Sequence, residues 1–300
     1  MDAKMQIIPR SKLECIYHNR ALLAESPVWS ADEKCLYWVD IEGRTFNSFN
    51  TTTSKNITNN TGIRVSALAL REPGGFIVAT ETGFQFYNST ENSFTLIGDP
   101  ESNKPNNRFN DGRCDRAGRF WAGTMIEKGD QIPDAGLYCI DQDLKYKKKY
   151  GGLILSNGLA WSPNNRTMYL ADTRYPVVWA FDFDIDNGDI CNQRKFIEFD
   201  LDEGVPDGAT IDTDGCYWLA QPRASKICRY TPKGRKDTIV ELPVSKPTMC
   251  AFGGSTLNML YITTSSLGLS EKELEEQPLA GSLLGLGVKA QGLPEPKFIH

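Results

Sequence analysis

Glu25, Arg108, Asn110, Asn157 and Asp207 lie far apart in a chain of 300 residues, yet each falls in a short segment of one kind, polar at its start and apolar or small after it. The segments read Glu25-Ser26-Pro27-Val28-Trp29, Arg108-Phe109-Asn110-Asp111-Gly112, Ser156-Asn157-Gly158-Leu159-Ala160-Trp161 and Pro206-Asp207-Gly208-Ala209. Arg64-Val65-Ser66-Ala67 and Pro247-Thr248-Met249-Cys250 are further copies. Taken singly, Asn-Gly and Asp-Gly are strong turn dipeptides and Glu25 is one acid among many. Taken as a set, Glu25, Asn157 and Asp207 offer two carboxylates and one amide carbonyl, all oxygen donors. Such donors suit a hard divalent cation that keeps some of its waters, Ca²⁺, Mg²⁺ or Mn²⁺, and suit Zn²⁺ less well. The set can act only if the fold brings the segments together.

A repeat supplies that fold. Strand-like runs with an aromatic or bulky apolar pair recur as Leu36-Tyr37-Trp38-Val39, Phe76-Ile77-Val78-Ala79, Phe120-Trp121-Ala122-Gly123, Met168-Tyr169-Leu170-Ala171, Tyr217-Trp218-Leu219-Ala220 and Leu260-Tyr261-Ile262-Thr263. From Trp38 onward the steps are 39, 44, 48, 49 and 43 residues. Strand repeats of roughly 40–50 residues are propeller blades of about four strands each. The predicted fold is therefore all-β, a six-bladed β-propeller forming one domain over residues 1–300. Each innermost strand should start about a dozen residues before its aromatic pair, which is where the polar segments stand; in a ring those positions converge on one axis. Helical periodicity is nearly absent, and Ser270 to Glu276 is expected to be a short helix or loop. The run Leu13-Glu14-Cys15-Ile16-Tyr17, within residues 11–18, is the candidate strand for closing the ring beside the last repeat.

Composition removes several function classes. Net charge is −5 and the only basic run is Lys145-Tyr146-Lys147-Lys148-Lys149, which reads as a solvated strand, so nucleic acid is not the expected partner. No window approaches a membrane span, the opening residues carry no apolar signal region, and the eight scattered cysteines form no Cys-x-x-Cys pair. A cytoplasmic protein with free thiols is expected, with no obligate protein partner evident, and the four Asn-x-Ser/Thr sequons are read as chance. His18 and His300 are the only histidines, too few and too far apart for a Ser-His-Asp triad or a His-ligated zinc hydrolase. In Asp182-Phe183-Asp184-Ile185-Asp186-Asn187-Gly188 the glycine falls one place late for a calcium loop and no helices flank it, so a hairpin is expected. Gly285-Leu286-Gly287 lacks the third glycine of a dinucleotide site.

The polar segments, together with Trp121-Ala122-Gly123-Thr124-Met125, Ala251-Phe252-Gly253-Gly254 and the tail Gly292-Leu293-Pro294-Glu295-Pro296-Lys297-Phe298, resemble the motifs of the regucalcin/gluconolactonase family, in the same order and over nearly the whole chain. The resemblance implies a six-bladed propeller with one divalent metal in its channel, Ca²⁺ foremost, held by Glu25, Asn157 and Asp207. It also implies substrate contacts at Arg108, Asn110 and Glu127. The activity it implies is hydrolysis of a sugar (aldono-) lactone. Asp207 is then the candidate general base, while Arg108 and Asn110 would fix ring hydroxyls and the lactone oxygen by forked donors and a paired donor and acceptor. Two other functions fit the same residues: a metal-dependent hydrolase of another ester such as a phosphotriester, and a non-catalytic metal-binding protein. A bare ion site would need only the three ligands, so the presence of Arg108 and Asn110 favours the enzyme.

Overall fold

Each repeat folds as an antiparallel meander, and six such sheets form the blades of a ring, a β-propeller. The computed structural model describes residues 5–200 and 203–300. Blade 1 shows the pattern, with strands Ala24–Ser30, Cys35–Asp40, Thr45–Asn50 and Lys55–Asn60 running from the channel outward. The innermost strands of the other blades are Val65–Glu72, Asn107–Cys114, Ser156–Trp161, Ala209–Ile211 and Pro247–Gly253. The aromatic pairs all lie in the second strands, which are buried on both faces because neighbouring blades pack against them. Val28, Tyr37 and Phe46 of blade 1 accordingly share one core cluster with Leu68, Phe76 and Tyr87 of blade 2. Outer strands such as Lys55–Asn60 are mostly exposed.

A turn device accompanies two of the tryptophans at the aromatic position. Asp115 caps the turn after the inner strand of blade 3 and accepts a bond from Trp121 Nε1 at 2.8 Å; Asp212 does the same for Trp218 Nε1 at 2.9 Å in blade 5. Each indole is thereby buried with its N–H satisfied. The Asp182–Gly188 tract is a strand running into a hairpin, and the lysine run leads from Lys145 into the largely exposed outer strand Tyr146–Leu153. Among the described residues one short α-helix, Glu271–Glu276, is held by a capping box from Ser270.

Both ends of the chain join the ring. Glu14–Tyr17 pairs antiparallel with Leu283–Gly287, so the outer strand of blade 6 comes from the opposite end of the sequence. Gln6–Ile8 adds a parallel fifth strand to blade 5 along Lys236–Glu241. Residues 291–300 cross the face on which the inner strands end. Gln291 O accepts from Thr213 N (2.8 Å), Gly292 N donates to Leu257 O (2.7 Å), Glu295 pairs with Arg113 (3.3 Å) and Lys297 with Asp32 (2.9 Å). Phe298–Ile299 then pairs in parallel with Arg71 and Glu72, with Phe298 fully buried. This strap touches blades 5, 6, 3, 1 and 2 in turn.

Candidate metal and substrate site

The candidate residues sit where the inner strands are irregular. Register shifts interrupt the pairing between Glu25 and Val28, Val65 and Ala67, Phe109 and Gly112, Asn157 and Ala160, and Pro247 and Met249. In blade 5 regular pairing begins only at Ala209, and Asp207 is anchored just before it by its N–H to Ala220 O at 3.0 Å. A bulge turns side chains out of the ordinary alternation and is common beside active sites. Here bulges recur at the start of the strands, all at one mouth of the channel. Gly158 takes φ +64 and Gly208 has Met249 Cβ 2.4 Å from where its own Cβ would be, so the backbone next to Asn157 and Asp207 excludes a side chain.

Glu25, Asp207 and Asn157 meet there, with Asn157 buried and the two acids half-buried at the channel mouth. Burial, then the negative charge of Asp111, pushes the Glu25 carboxyl up to about 8, against the opposing pull of the Ser26 N–H (3.0 Å) and the Arg108 charge. Asp207 is raised well above the carboxylate range by burial, then by Glu25 and Asp111, against bonds from Gly208 N–H and the Asn157 amide. Asp111 is itself raised by burial, while the Leu159 N–H at 2.9 Å opposes. Among the described residues, neither Glu25 nor Asp207 belongs to an ion pair.

Two acids whose carboxyls are both raised, Asp207 in part by the charge of Glu25, with no bonded cation are an arrangement that a bound divalent ion would relieve. Among the described residues no three His, Cys, Asp or Glu side chains form a metal-holding group, so the third protein donor would be an amide. Asn157 fits: its Oδ1 accepts one bond, from Asn110 Nδ2 at 3.2 Å, and an amide oxygen has a second lone pair. Its Nδ2 donates to Thr173 Oγ1 (2.7 Å), which donates to Pro206 O (2.8 Å) and ties Asn157 to the segment carrying Asp207.

Arg108 and Asn110 lie beside this group. The buried Arg108 guanidinium donates through Nε to Glu127 Oε1 (3.1 Å) and through Nη1 to Phe109 O (2.8 Å) and Asn110 Oδ1 (3.3 Å), and Nη2 makes none of these bonds. Asn110 Nδ2 also donates to Ser156 O at 3.0 Å. Glu127 is at the site, but both of its oxygens are engaged: Arg64 grips them with Nη1 and Nη2, and Arg108 shares Oε1. The bond from Arg64, then that from Arg108, holds the Glu127 carboxyl below its ordinary range. The structure adds Arg64, Asp111 and Thr173 to the residues expected from sequence. Arg64 heads one of the recurring segments and Asp111 sits inside another; Thr173 carries no sequence signal. A groove of about 740 Å³ between blades 1 and 2, lined by Asp32, Glu33, Tyr37 and Glu72 among others, opens on the opposite face, so size alone does not mark the site. His18 bonds Ser282 and His300 bonds Gln142, both away from it.

A propeller whose channel mouth gathers acids, an amide and a guanidinium defines a class, and the chain belongs to the SMP-30/gluconolactonase/LRE-like family, whose model matches residues 23–266. It is 37% identical to zebrafish (Danio rerio) regucalcin over 288 residues, covering 94% of this chain and 97% of that one. Against human regucalcin the figures are 35% over 286 residues, 93% and 96%. A crystal structure of a luciferin-regenerating enzyme superposes with a TM-score of 0.87 at 29% identity, covering 96% of this chain and 99% of the other. One described as a calcium-binding protein, regucalcin, from Agrobacterium tumefaciens superposes with a TM-score of 0.93 at 24% identity, covering 98% and 99%, a likeness of fold.

Proposed function

We propose that this protein hydrolyses a sugar (aldono-) lactone to the aldonic acid and depends on one divalent cation, Ca²⁺ foremost, held by Glu25, Asn157 and Asp207. The observation that carries the proposal is the convergence of two acids with raised carboxyls and an amide with Arg108 and Asn110 at one channel mouth. The family affiliation supports it, gluconolactonase being one of the proteins for which the family is named. A regucalcin described as calcium-binding supports the choice of ion.

When bound, the cation would polarise the lactone carbonyl or acidify a water. The chain's own residues do the rest. Arg108 Nη2 and Asn110 hold hydroxyls and the lactone oxygen, in a position fixed by the bonds at Nε and Nη1. Asp207 takes the proton of the water that attacks the carbonyl carbon; the ring C–O bond breaks, and the proton returns to the departing oxygen. A cavity of about 110 Å³ beside Arg108, lined by Glu81, Asp99, Glu101, Asn107 and Thr124, supplies further polar groups for a hydroxylated ring. The expected ligand is a small molecule in the cytoplasm, a compartment suited to eight free thiols. Among the described residues no helix is long and apolar enough to cross a membrane.

The test is proton release from a panel of five- and six-membered aldonolactones by chelated protein, reconstituted in turn with Ca²⁺, Mg²⁺, Mn²⁺ and Zn²⁺. Turnover that appears only with metal supports the proposal. Metal binding without turnover on any lactone leaves the second function, a non-catalytic calcium-binding protein, which the description of the Agrobacterium relative favours. Full turnover in chelator refutes the metal dependence.

A further inference from the structure

We propose that Arg64 is a positioning residue of this site, fixing the Arg108 guanidinium through the shared carboxylate of Glu127. Arg64 immediately precedes the inner strand of blade 2 and has three acids around its guanidinium, each from a different blade. Its Nε bonds Glu81 Oε2 at 2.8 Å, Nη1 reaches Glu42 Oε1 at 3.3 Å, and Nη1 and Nη2 together grip Glu127. The Glu127 oxygen that receives Nη1 also receives Arg108 Nε at 3.1 Å. Two guanidinium groups therefore share one carboxylate, and with Glu42 and Glu81 nearby the like charges are offset.

The consequence follows from donor geometry. A guanidinium is a rigid planar fork, so holding Nε and Nη1 sets the direction of Nη2. Phe109 O and Asn110 Oδ1 hold Nη1 within the strand; Glu127 holds Nε, and Arg64 in turn holds Glu127. Glu127 follows the strand Phe120–Ile126, and among the described residues its carboxylate has no bonded cation other than these two. Without Arg64 only the single bond from Arg108 Nε would hold it, against the pull of solvent on its exposed side. Arg64 makes no bond with Glu25, Asn157 or Asp207, so its effect should reach the substrate group and leave the ion group alone.

The inference rests on Arg108 being a substrate contact, and a double-mutant cycle tests it. Arg64→Ala should raise KM for the responsive lactone by about tenfold, in the range of couplings between bonded residues, with kcat and metal affinity little changed. The same change made in Arg108→Ala should add nothing further, and Arg64→Lys should recover part of the loss. A second readout needs no substrate: in protein carrying ¹⁵N-arginine, the Arg108 Nε–H signal, assigned by its loss in Arg108→Lys, should shift and exchange faster in Arg64→Ala. Equal penalties of Arg64→Ala with and without Arg108, or an unchanged Nε–H signal, would overturn the proposal. If wild-type protein turns over no lactone, the proposed function fails while the Nε–H signal still decides the positioning role. If Arg64→Ala does not fold, Arg64→Gln carries the same measurements.

Discussion

Raising the pH should tighten metal binding, and the size of the effect follows from Glu25. Its carboxyl is pushed up to about 8 from an ordinary 4.5, by burial first and then by the negative charge of Asp111. A ligand carboxyl must lose its proton before an ion can bind. With a value of about 8, roughly 1% of Glu25 is ionised at pH 6 and about half at pH 8, so Glu25 alone should strengthen apparent affinity about 50-fold over that interval. Asp207, shifted in the same direction, should steepen the trend. The folding stability of the cation-free protein has the opposite slope. A raised folded-state value means the native state binds the extra proton, so this stabilisation is complete below about pH 4.5 and is lost as pH rises through about 8. Saturating metal should remove that loss. Calorimetric Ca²⁺ titrations at pH 6, 7 and 8 in buffers of different ionisation enthalpy give both affinity and protons released. At pH 6 about one proton from Glu25, and more if Asp207 follows, should leave per ion bound. Affinity that is flat from pH 6 to 8 with no proton release would remove Glu25 and Asp207 from the ion's ligands.

Glu25→Gln should weaken metal binding steeply, since hard ions depend on ligand charge, and excess metal should restore much of the activity; unchanged affinity by calorimetry would exclude Glu25 as a ligand. Asp207→Asn keeps a carbonyl donor but loses the base and one charge, so even with metal raised to saturation kcat should fall about 10²–10⁴-fold, and near-normal turnover would assign the proton to another group. Phe298→Ala empties a fully buried position under the strap and should cost about 3–5 kcal/mol in denaturant unfolding, whereas a loss below about 1 kcal/mol would show the strap to be loosely docked. A chain starting at Ala21 lacks the outer strand of blade 6 and the Tyr17 contact with Trp38, so its thermal midpoint should drop by several degrees on the scale of about 2–4 °C per kcal/mol.

The ring was legible because it is periodic. Each aromatic pair marks a second strand, buried on both faces and therefore continuously apolar, and the turn chemistry that buries Trp121 and Trp218 repeats with it. What the sequence did not disclose is what happens once. Gln6–Ile8 and Phe298–Ile299 are three- and two-residue strands, too short for any alternation, and both pair in parallel with strands far away in sequence. The tail motif was recognisable only as a resemblance; nothing in Gly292 to Phe298 says that it spans a ring, or that Glu295 meets Arg113. Glu127 shows the same limit, because an acid two residues beyond a motif carries no sign of the two arginines that share it.

The site itself was half legible, and the bulges explain the division. A polar segment at the head of a strand reads as a turn, and the local backbone agrees: Ser26 has φ 51, Gly158 φ 64, and both interrupt their ladders. A serine in the left-handed region is strained on the order of 1–3 kcal/mol. Its hydroxyl offsets part of this by accepting the Leu68 N–H of the next blade at 3.0 Å, as Asp111 accepts that of Leu159. Each bulge is thus fastened to the neighbouring blade, not only to its own strand. Ring closure and site geometry are for that reason one structural problem. Glu25 and Asp207 are held half-buried at the channel mouth with their carboxyls harder to ionise, Asp207 partly because of the charge of Glu25, and an ion bound there would convert that repulsion into affinity.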